Sequence, residues 1–371
     1  MVDGKIAEAA AIYRELVRGD QISTPPSPYT GADLFALGSV LVELNRMDDA
    51  KWCFVRALTL FEDDPVDAAQ VRLSLGGIQV VQGLFAEAEN NLKIATAALL
   101  KNVGENDIRT ARAFNVSSWL YTIWGRLNEA EEASGKAEAI ANRALPPDSP
   151  EHARFLDYRA EYLAAIGRYA EAERTWRRAT TLLEKRLGDS SPQYDSVYLH
   201  LAQAYSITGD YKQAQDMLKR FLAIEEKLIP GGSLAQAVGL AELGNTYTRL
   251  RQYSDAESTL TSSIVMLARL PDPVPLTNAL LGTYLGDYYM TQGRWSDAES
   301  SYRGALELRQ AAAPASTLVG ASLKDLAGAL DKLKRKDEAK KYKERAQEIL
   351  AAHYNPGYSG DTVDVKAFRE K

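Results

Sequence analysis

Cysteine is almost absent from the sequence, since Cys53 is the only one among 371 residues. An intrachain disulfide is therefore excluded, and Cys53 is expected to be a small, buried apolar side chain on a helix. Histidine is also scarce: His152, His200 and His353 lie far apart, and none pairs with another histidine or a cysteine at the spacing of metal ligands. A glycine-rich phosphate loop is missing as well. We therefore expect no metal, no cofactor and no catalytic role.

Long hydrophobic runs are missing too. No stretch approaches the ~20 apolar residues that cross a membrane. Residues 1–20 lack the basic start and apolar run of a secretory signal. We predict a cytoplasmic protein with no membrane partner.

The sequence has no strong excess of positive charge, and its formal net charge is -6. Nucleic-acid-binding domains are usually basic, with clustered lysine and arginine. The one concentrated basic stretch, Lys332 to Lys343, is interrupted by Asp337 and Glu338, as is typical of a solvated face of a terminal helix. We expect no nucleic-acid partner.

What the sequence does contain is a short phrase that recurs at a nearly constant interval. It reads Gly, any residue, aromatic or large apolar, any residue, acidic or polar, Ala. The final residues of its copies, here termed the anchor alanines, are Ala50, Ala88, Ala130, Ala172, Ala214, Ala256, Ala298 and Ala339. Their spacing is 42 residues in five intervals and 38 and 41 in the other two. A fixed period of this size predicts a stacked array in which each unit packs mainly on its neighbours.

Each unit of about forty residues has the pattern of two helices. Within 194–227, apolar residues recur at helical spacing on both sides of a turn at Gly209, which suits the left-handed residue after a helix end. A second small residue lies twelve positions before each anchor alanine: Gly38, Gly76, Ser118, Ala160, Ala202, Gly244, Gly286 and Ala327. Small residues at both positions allow the two helix axes to approach to ~8–10 Å.

This pattern resembles the tetratricopeptide repeat, in the longer variant of kinesin light chains. The connector 186–192, Arg-Leu-Gly-Asp-Ser-Ser-Pro, is similar to the Leu-Gly-x-x-His-Pro connector of that variant, and 240–247 resembles its first helix. The resemblance covers roughly residues 4 to 353. It implies an all-α, right-handed superhelical solenoid of about eight helix pairs plus an N-terminal helix.

The pattern also predicts the limits of the array. We assign 1–18 to an N-terminal helix, 19–30 to a Pro-rich connector, 31–353 to the repeats and 354–371 to a tail or linker. Residues 4–9 fit the recurring phrase, so the first helix is either a cap or the second helix of a partial repeat, in which case Met1 begins a fragment of a longer protein.

The concave face of such a solenoid is lined by the first helices, and positions counted back from the anchors predict which side chains face inward. The candidate groove residues are Phe35, Leu73, Arg112, Asn115, Trp119, Arg154, Asp157, Tyr158, Glu161, Gln203, Asn245, Arg249 and Asp287. An asparagine amide both donates and accepts, which suits capture of a peptide backbone. Tryptophan and arginine are frequent among binding hot spots.

Structural alternatives remain open for several of these residues. Trp119 could fill the gap between the third and fourth units, and Phe35 and Leu73 could pack against a neighbouring helix. Asp157 and Glu161 could pair with Arg154 at helical spacing.

The leading functional prediction is a protein-interaction scaffold that holds an extended segment of a partner in its concave groove. The alternative is a regulatory or sensor repeat domain of a larger enzyme or switch protein, such as an ATPase or a protease. Self-association through the terminal repeats is a further alternative.

Overall fold

Helices make up all of the regular structure in residues 30–187, 196–270, 274–312, 314 and 316–352, the part of the chain that the computed structural model describes. Sixteen helices form eight antiparallel pairs there. The first four pairs are α1 (Thr30–Glu43), α2 (Met47–Leu60), α3 (Pro65–Val81), α4 (Phe85–Asn102), α5 (Ile108–Trp124), α6 (Leu127–Ala144), α7 (Glu151–Ala165) and α8 (Tyr169–Leu187). The last four are α9 (Ser196–Thr208), α10 (Tyr211–Leu228), α11 (Leu234–Arg249), α12 (Tyr253–Leu267), α13 (Pro275–Thr291), α14 (Trp295–Ala312), α15 (Thr317–Lys332) and α16 (Lys336–Ala352).

The turn inside each pair has one backbone geometry. In the clear copies of the phrase the glycine lies in the left-handed region, with φ between 73° and 86°. In the three weaker copies a non-glycine residue takes the same place: Asn45, Arg251 and Lys334, with φ of 51°, 59° and 62°. Left-handed backbone costs such residues roughly 1–2 kcal/mol. The repeat geometry therefore persists where the sequence signal fades.

The anchor alanines are the most buried positions of the array, and all eight are 0% exposed. In the first, second, sixth and seventh repeats, the glycine twelve positions before the anchor makes room for a large side chain four positions after it. A Cβ atom on Gly38 would lie 2.5 Å from the ring of Phe54, and one on Gly244 would lie 2.6 Å from Leu260. The predicted reason for the small residues is confirmed, because close approach of the helices leaves no space for a larger side chain.

The helices form an inner and an outer layer. Successive first helices, such as α5 and α7 or α11 and α13, pack against one another, and each second helix packs against the first helices on both sides of it. The helices of the inner layer therefore pack more closely on one another than those of the outer layer, as expected for a curved solenoid. First helices carry the concave surface.

The solenoid curves far enough for early repeats to meet late ones. The turn at Gly83 in the second repeat contacts Ala312 at the end of α14, where the added Cβ would lie 3.0 Å from the alanine side chain. Leu276 of α13 packs on the apolar cluster of Phe85. Leu234 of α11 packs on the cluster of the first repeat. We term this contact zone the seam.

Several sequence expectations lie outside the described residues. They include the N-terminal helix at 1–18, most of the Pro-rich connector, the greater part of the 186–192 connector and the tail at 354–371. None of the described helices is long and apolar enough to cross a membrane.

Candidate functional site

A cavity of about 490 Å³ opens between the first helices of the fifth, sixth and seventh repeats, α9, α11 and α13. Its wall contains three of the predicted groove residues, Gln203, Asn245 and Arg249. It also contains Glu242 and Tyr284, which the sequence analysis did not select. The cavity lies on the inner layer because all three helices are first helices of their repeats.

Two hydrogen-bond acceptors of α11 occupy this wall. Asn245 is 9% exposed, and its buried Oδ1 atom has no hydrogen-bond donor. Glu242 is 3% exposed and accepts from Gln203, whose Nε2 lies 2.7 Å from Oε1, and from the hydroxyl of Tyr284. Burial raises the pKa of Glu242, although both hydrogen bonds act in the opposite direction. A buried carboxylate held by two neutral donors is an unusual and costly arrangement.

Beside the cavity, His200 of α9 connects two carboxylates of α7. Its Nδ1 lies 2.7 Å from Oδ1 of Asp157, and its Nε2 lies 3.0 Å from Oε1 of Glu161. The indole Nε1 of Trp176 donates to the same Asp157 oxygen at 2.8 Å. Burial lowers the pKa of His200, but the charges of Asp157 and Glu161 outweigh burial, and the pKa stands well above 6.5. Burial also raises the pKa of Glu161, whose Oε2 has no hydrogen-bond partner.

The sequence left open a pairing of Asp157 and Glu161 with Arg154 of the same helix. In the structure both carboxylates contact His200 of the next repeat. The side chain of Arg154 is exposed. The reason is geometric, because a first helix presents its buried polar residues to the neighbouring first helix.

Further along the groove, Arg249 of α11 is paired with Asp287 of α13, with Nη2 and Oδ2 2.6 Å apart. The other oxygen of Asp287 accepts from the hydroxyl of Tyr302 at 2.6 Å. The positive charge of Arg249 is therefore compensated within the groove.

The predicted groove residues of the third and fourth repeats mostly link α5 to α7. Arg112 is ion-paired with Glu151. Asn115 is 2% exposed, and its Nδ2 donates to the carbonyl oxygen of Arg154 at 3.3 Å. Trp119 stacks on Tyr158, with ring centroids 5.9 Å apart and planes 18° apart. Trp119 thus bridges the third and fourth repeats and keeps part of its surface accessible.

The two apolar candidates of the first repeats are half-buried. The ring of Phe35 lies 5.7 Å from that of Phe54. Leu73 packs on the clusters that contain Leu92 and Leu99. Both side chains contribute to packing between helices.

The residues that sequence reasoning missed share one repeat position. Fourteen residues before successive anchors stand Tyr158, which was among the predicted residues, and His200, Glu242, Tyr284 and Asp325, which were not. The prediction used the positions eighteen, fifteen, eleven and eight before each anchor, and at minus fifteen Leu199 and Ala241 proved to be buried. Alignment of the repeats on their anchors would have shown a column of polar and aromatic residues at minus fourteen, which is the signal that was available.

Chemically, this row of residues supports binding by hydrogen bonds and charge. Among the described residues, no group of three or more His, Cys, Asp or Glu side chains is arranged to hold a metal ion. The row runs continuously along the inner layer from α7 to α15.

Comparisons with known proteins agree with this architecture. A family model described as tetratricopeptide repeat matches residues 151–227 and 276–352. No curated protein sequence matches the chain significantly.

Several solved structures are similar to the chain at low sequence identity. A Rap protein complexed with Competence and Sporulation Factor is 15% identical, with a TM-score of 0.67, and the match covers 94% of this chain and 98% of that one. A signal transduction ATPase with a tetratricopeptide repeat sensor, from Pyrococcus horikoshii, is 16% identical with a TM-score of 0.50, and the match covers 93% of this chain and 53% of that one. A putative kinesin light chain from Podosopora anserina is 20% identical with a TM-score of 0.43, and the match covers 54% of this chain and 94% of that one.

The tetratricopeptide repeat model matches the fourth and fifth helix pairs and the seventh and eighth, and the resemblance in the sequence is confirmed over these two segments. Repeats of this class form scaffolds for protein interactions. The matching model describes such a repeat and not a catalytic family.

Proposed function

We propose that this protein is an interaction scaffold that binds an extended segment of a partner protein along the inner surface of its first helices. The observation that carries the proposal is the cavity between α9, α11 and α13, where the Asn245 Oδ1 atom is buried without a donor. An extended peptide supplies backbone N–H donors at regular intervals. The Rap protein of similar fold was crystallised in complex with Competence and Sporulation Factor, which supports a binding role for this fold.

The mouth of the cavity offers a clean test. Ile207 lines the cavity and is 43% exposed, so a larger side chain can be placed there without disturbing the core. Ile207→Trp is expected to fill the entrance. Ile264 of α12 is 41% exposed on a second helix and serves as the matched control for added surface tryptophan.

The experiment is quantitative affinity capture from the native lysate with the wild type, Ile207→Trp and Ile264→Trp, followed by cross-linking to locate the bound segment. We expect one partner to be retained by the wild type and Ile264→Trp and reduced about tenfold or more by Ile207→Trp, with cross-links to α9, α11 or α13. A partner retained equally by all three proteins, or cross-linked only to second helices, would refute groove binding.

A second candidate function is a sensor module attached to an ATPase or a protease. The specific observation in its favour is the fold shared with the tetratricopeptide repeat sensor of the signal transduction ATPase. The native reading frame on both sides of the 371 residues tests it. A nucleotide-binding or protease motif in that frame supports the sensor function. A frame that encodes repeats and no such motif excludes the sensor function.

A further inference from the structure

The wall of the cavity between α9, α11 and α13 contains two buried hydrogen-bond acceptors. Asn245 presents a buried acceptor without a donor, and Glu242 presents a carboxylate that is 3% exposed. The one arginine in the wall, Arg249, is held by Asp287 at 2.6 Å. The one cationic side chain of the wall is therefore already paired with a carboxylate outside the cavity lining.

We propose that this cavity binds a positively charged group, the ammonium of a lysine or the guanidinium of an arginine, carried by the segment that occupies the groove. The inference rests on the proposed function, and it specifies the chemistry of the bound segment. An ammonium has three donors and a guanidinium has five. Either could satisfy Asn245 Oδ1 and Glu242 together after a small rotation of the amide.

The aromatic content of the wall supports the same chemistry. Tyr169, Tyr211 and Tyr284 all line the cavity. Cations bind favourably over aromatic faces, and more strongly where water is excluded. Aromatic rings beside an unneutralised carboxylate form a site for a cation and disfavour an anion.

The groups around Glu242 do not neutralise its negative charge. The titratable groups that act on it are His200 on α9 and Tyr284 on α13. His200 is already shared between Asp157 and Glu161, so its positive charge is balanced by two carboxylates. Tyr284 is neutral, because burial and the charge of Glu242 raise its pKa well above 10. No full positive charge is left to neutralise Glu242.

Proton release provides a second readout. Burial raises the pKa of Glu242 in the free protein, and an incoming cation would lower it again. In the pH range where Glu242 is protonated in the free protein, binding of a cationic side chain should therefore release protons and strengthen as the pH rises. A neutral or acidic side chain in the same cavity would not release them.

The probe is a library of synthetic peptides of about nine residues, roughly 30 Å when extended, acetylated and amidated so that the termini carry no charge. Each pool has one central residue fixed as Lys, Arg, Leu or Glu. Affinities are measured on immobilised wild type, Glu242→Gln and Glu307→Gln, the last being an exposed carboxylate of α14 as control.

We expect the Lys and Arg pools to bind about tenfold or more tightly than the Leu and Glu pools. Glu242→Gln should remove most of that preference, and Glu307→Gln should keep it. The ranking of the pools on the wild type tests the inference even if Glu242→Gln unfolds. Calorimetry of a Lys-pool peptide in two buffers of different ionisation enthalpy should detect proton release.

The outcomes separate this inference from the proposed function. Pools that bind without charge preference, and lose affinity with Ile207→Trp, overturn the cationic site and leave groove binding intact. A preference for the Glu pool also overturns the cationic site. Binding of no pool at all overturns both, because no peptide then occupies the groove.

Discussion

The imidazole of His200 on α9 is hydrogen-bonded to the carboxylate of Asp157 on α7, with Nδ1 and Oδ1 2.7 Å apart. The pair joins the first helices of the fourth and fifth repeats, and Glu161 completes it on the other ring nitrogen. A solenoid has no single core, so contacts between neighbouring repeats determine its stability. This contact is polar and buried, and its strength therefore depends on protonation.

We predict that His200→Gln destabilises the protein by about 3 kcal/mol near pH 6, because it removes the cation that contacts two largely buried carboxylates. The pKa of His200 is raised in the folded protein. Its contribution is therefore complete below the unfolded pKa of about 6.5 and is lost as the pH rises through the folded value. Urea unfolding of both proteins between pH 6 and pH 9 should show the difference shrinking as the pH rises; a constant difference would contradict the assignment. In Glu161→Gln the same pH dependence should be weaker.

Asp325 on α15 provides a test in which the substitution should stabilise the protein, in contrast to His200→Gln. Burial, with a smaller effect from Asp287, raises its pKa to about 6, although Arg309 acts to lower it. The folded pKa exceeds the ordinary 3.8, so the cost of the charge appears as the pH rises from 4 to 6 and is complete above that. Asp325→Asn should stabilise the protein at pH 7.5 by up to about 3 kcal/mol, at ~1.4 kcal/mol per pKa unit. The gain is reduced by the favourable interaction between Arg309 and the Asp325 carboxylate, which the substitution removes.

The measurement for Asp325→Asn is urea unfolding at pH 4 and pH 7.5, where the stabilisation should be present at the higher pH and small at the lower. Asp331→Asn changes an exposed carboxylate of the same helix and should shift stability by less than about 1 kcal/mol. A variant less stable than the wild type at pH 7.5 would show that Arg309 dominates.

Adjacent glycines of α3 test the helix crossing. A Cβ on Gly76 would lie 2.8 Å from Leu92, whereas a Cβ on Gly77 would meet nothing within 4 Å. Gly76→Ala should cost about 1–3 kcal/mol through overpacking, and Gly77→Ala should stabilise α3 by about 1 kcal/mol through helix propensity. Thermal unfolding of the two variants should move in opposite directions, and equal shifts would argue against the crowded crossing.

The seam can be opened without altering a helix. Ala312 contacts the turn at Gly83, and its neighbour Ala311 is exposed. Ala312→Trp should push the second and seventh repeats apart and increase the radius of gyration in small-angle X-ray scattering, with unchanged helical content by circular dichroism. Ala311→Trp should leave the scattering curve as in the wild type. Identical curves for both variants would mean that the seam is not closed in solution.

Much of this architecture could be predicted from local pattern. The anchor alanines predicted the positions that became fully buried, and the small residues twelve positions earlier predicted where the helices cross. Such positions can be predicted from sequence because close packing allows few residue types there. The site was harder to predict from the sequence. Glu242 and His200 are residue types that commonly lie on helix surfaces, and only their contacts with neighbouring repeats give them buried, charged surroundings.

The sequence by itself determined the repeat, its period and the crossing of each helix pair, because these depend on side-chain size within about forty residues of chain. The tertiary structure alone decided which polar residues meet. His200 reaches Asp157 across the boundary between repeats, and Gly83 reaches Ala312 across a full curve of the solenoid. Those contacts depend on how successive repeats are oriented and on the total curvature of the solenoid. A local sequence pattern does not predict that curvature.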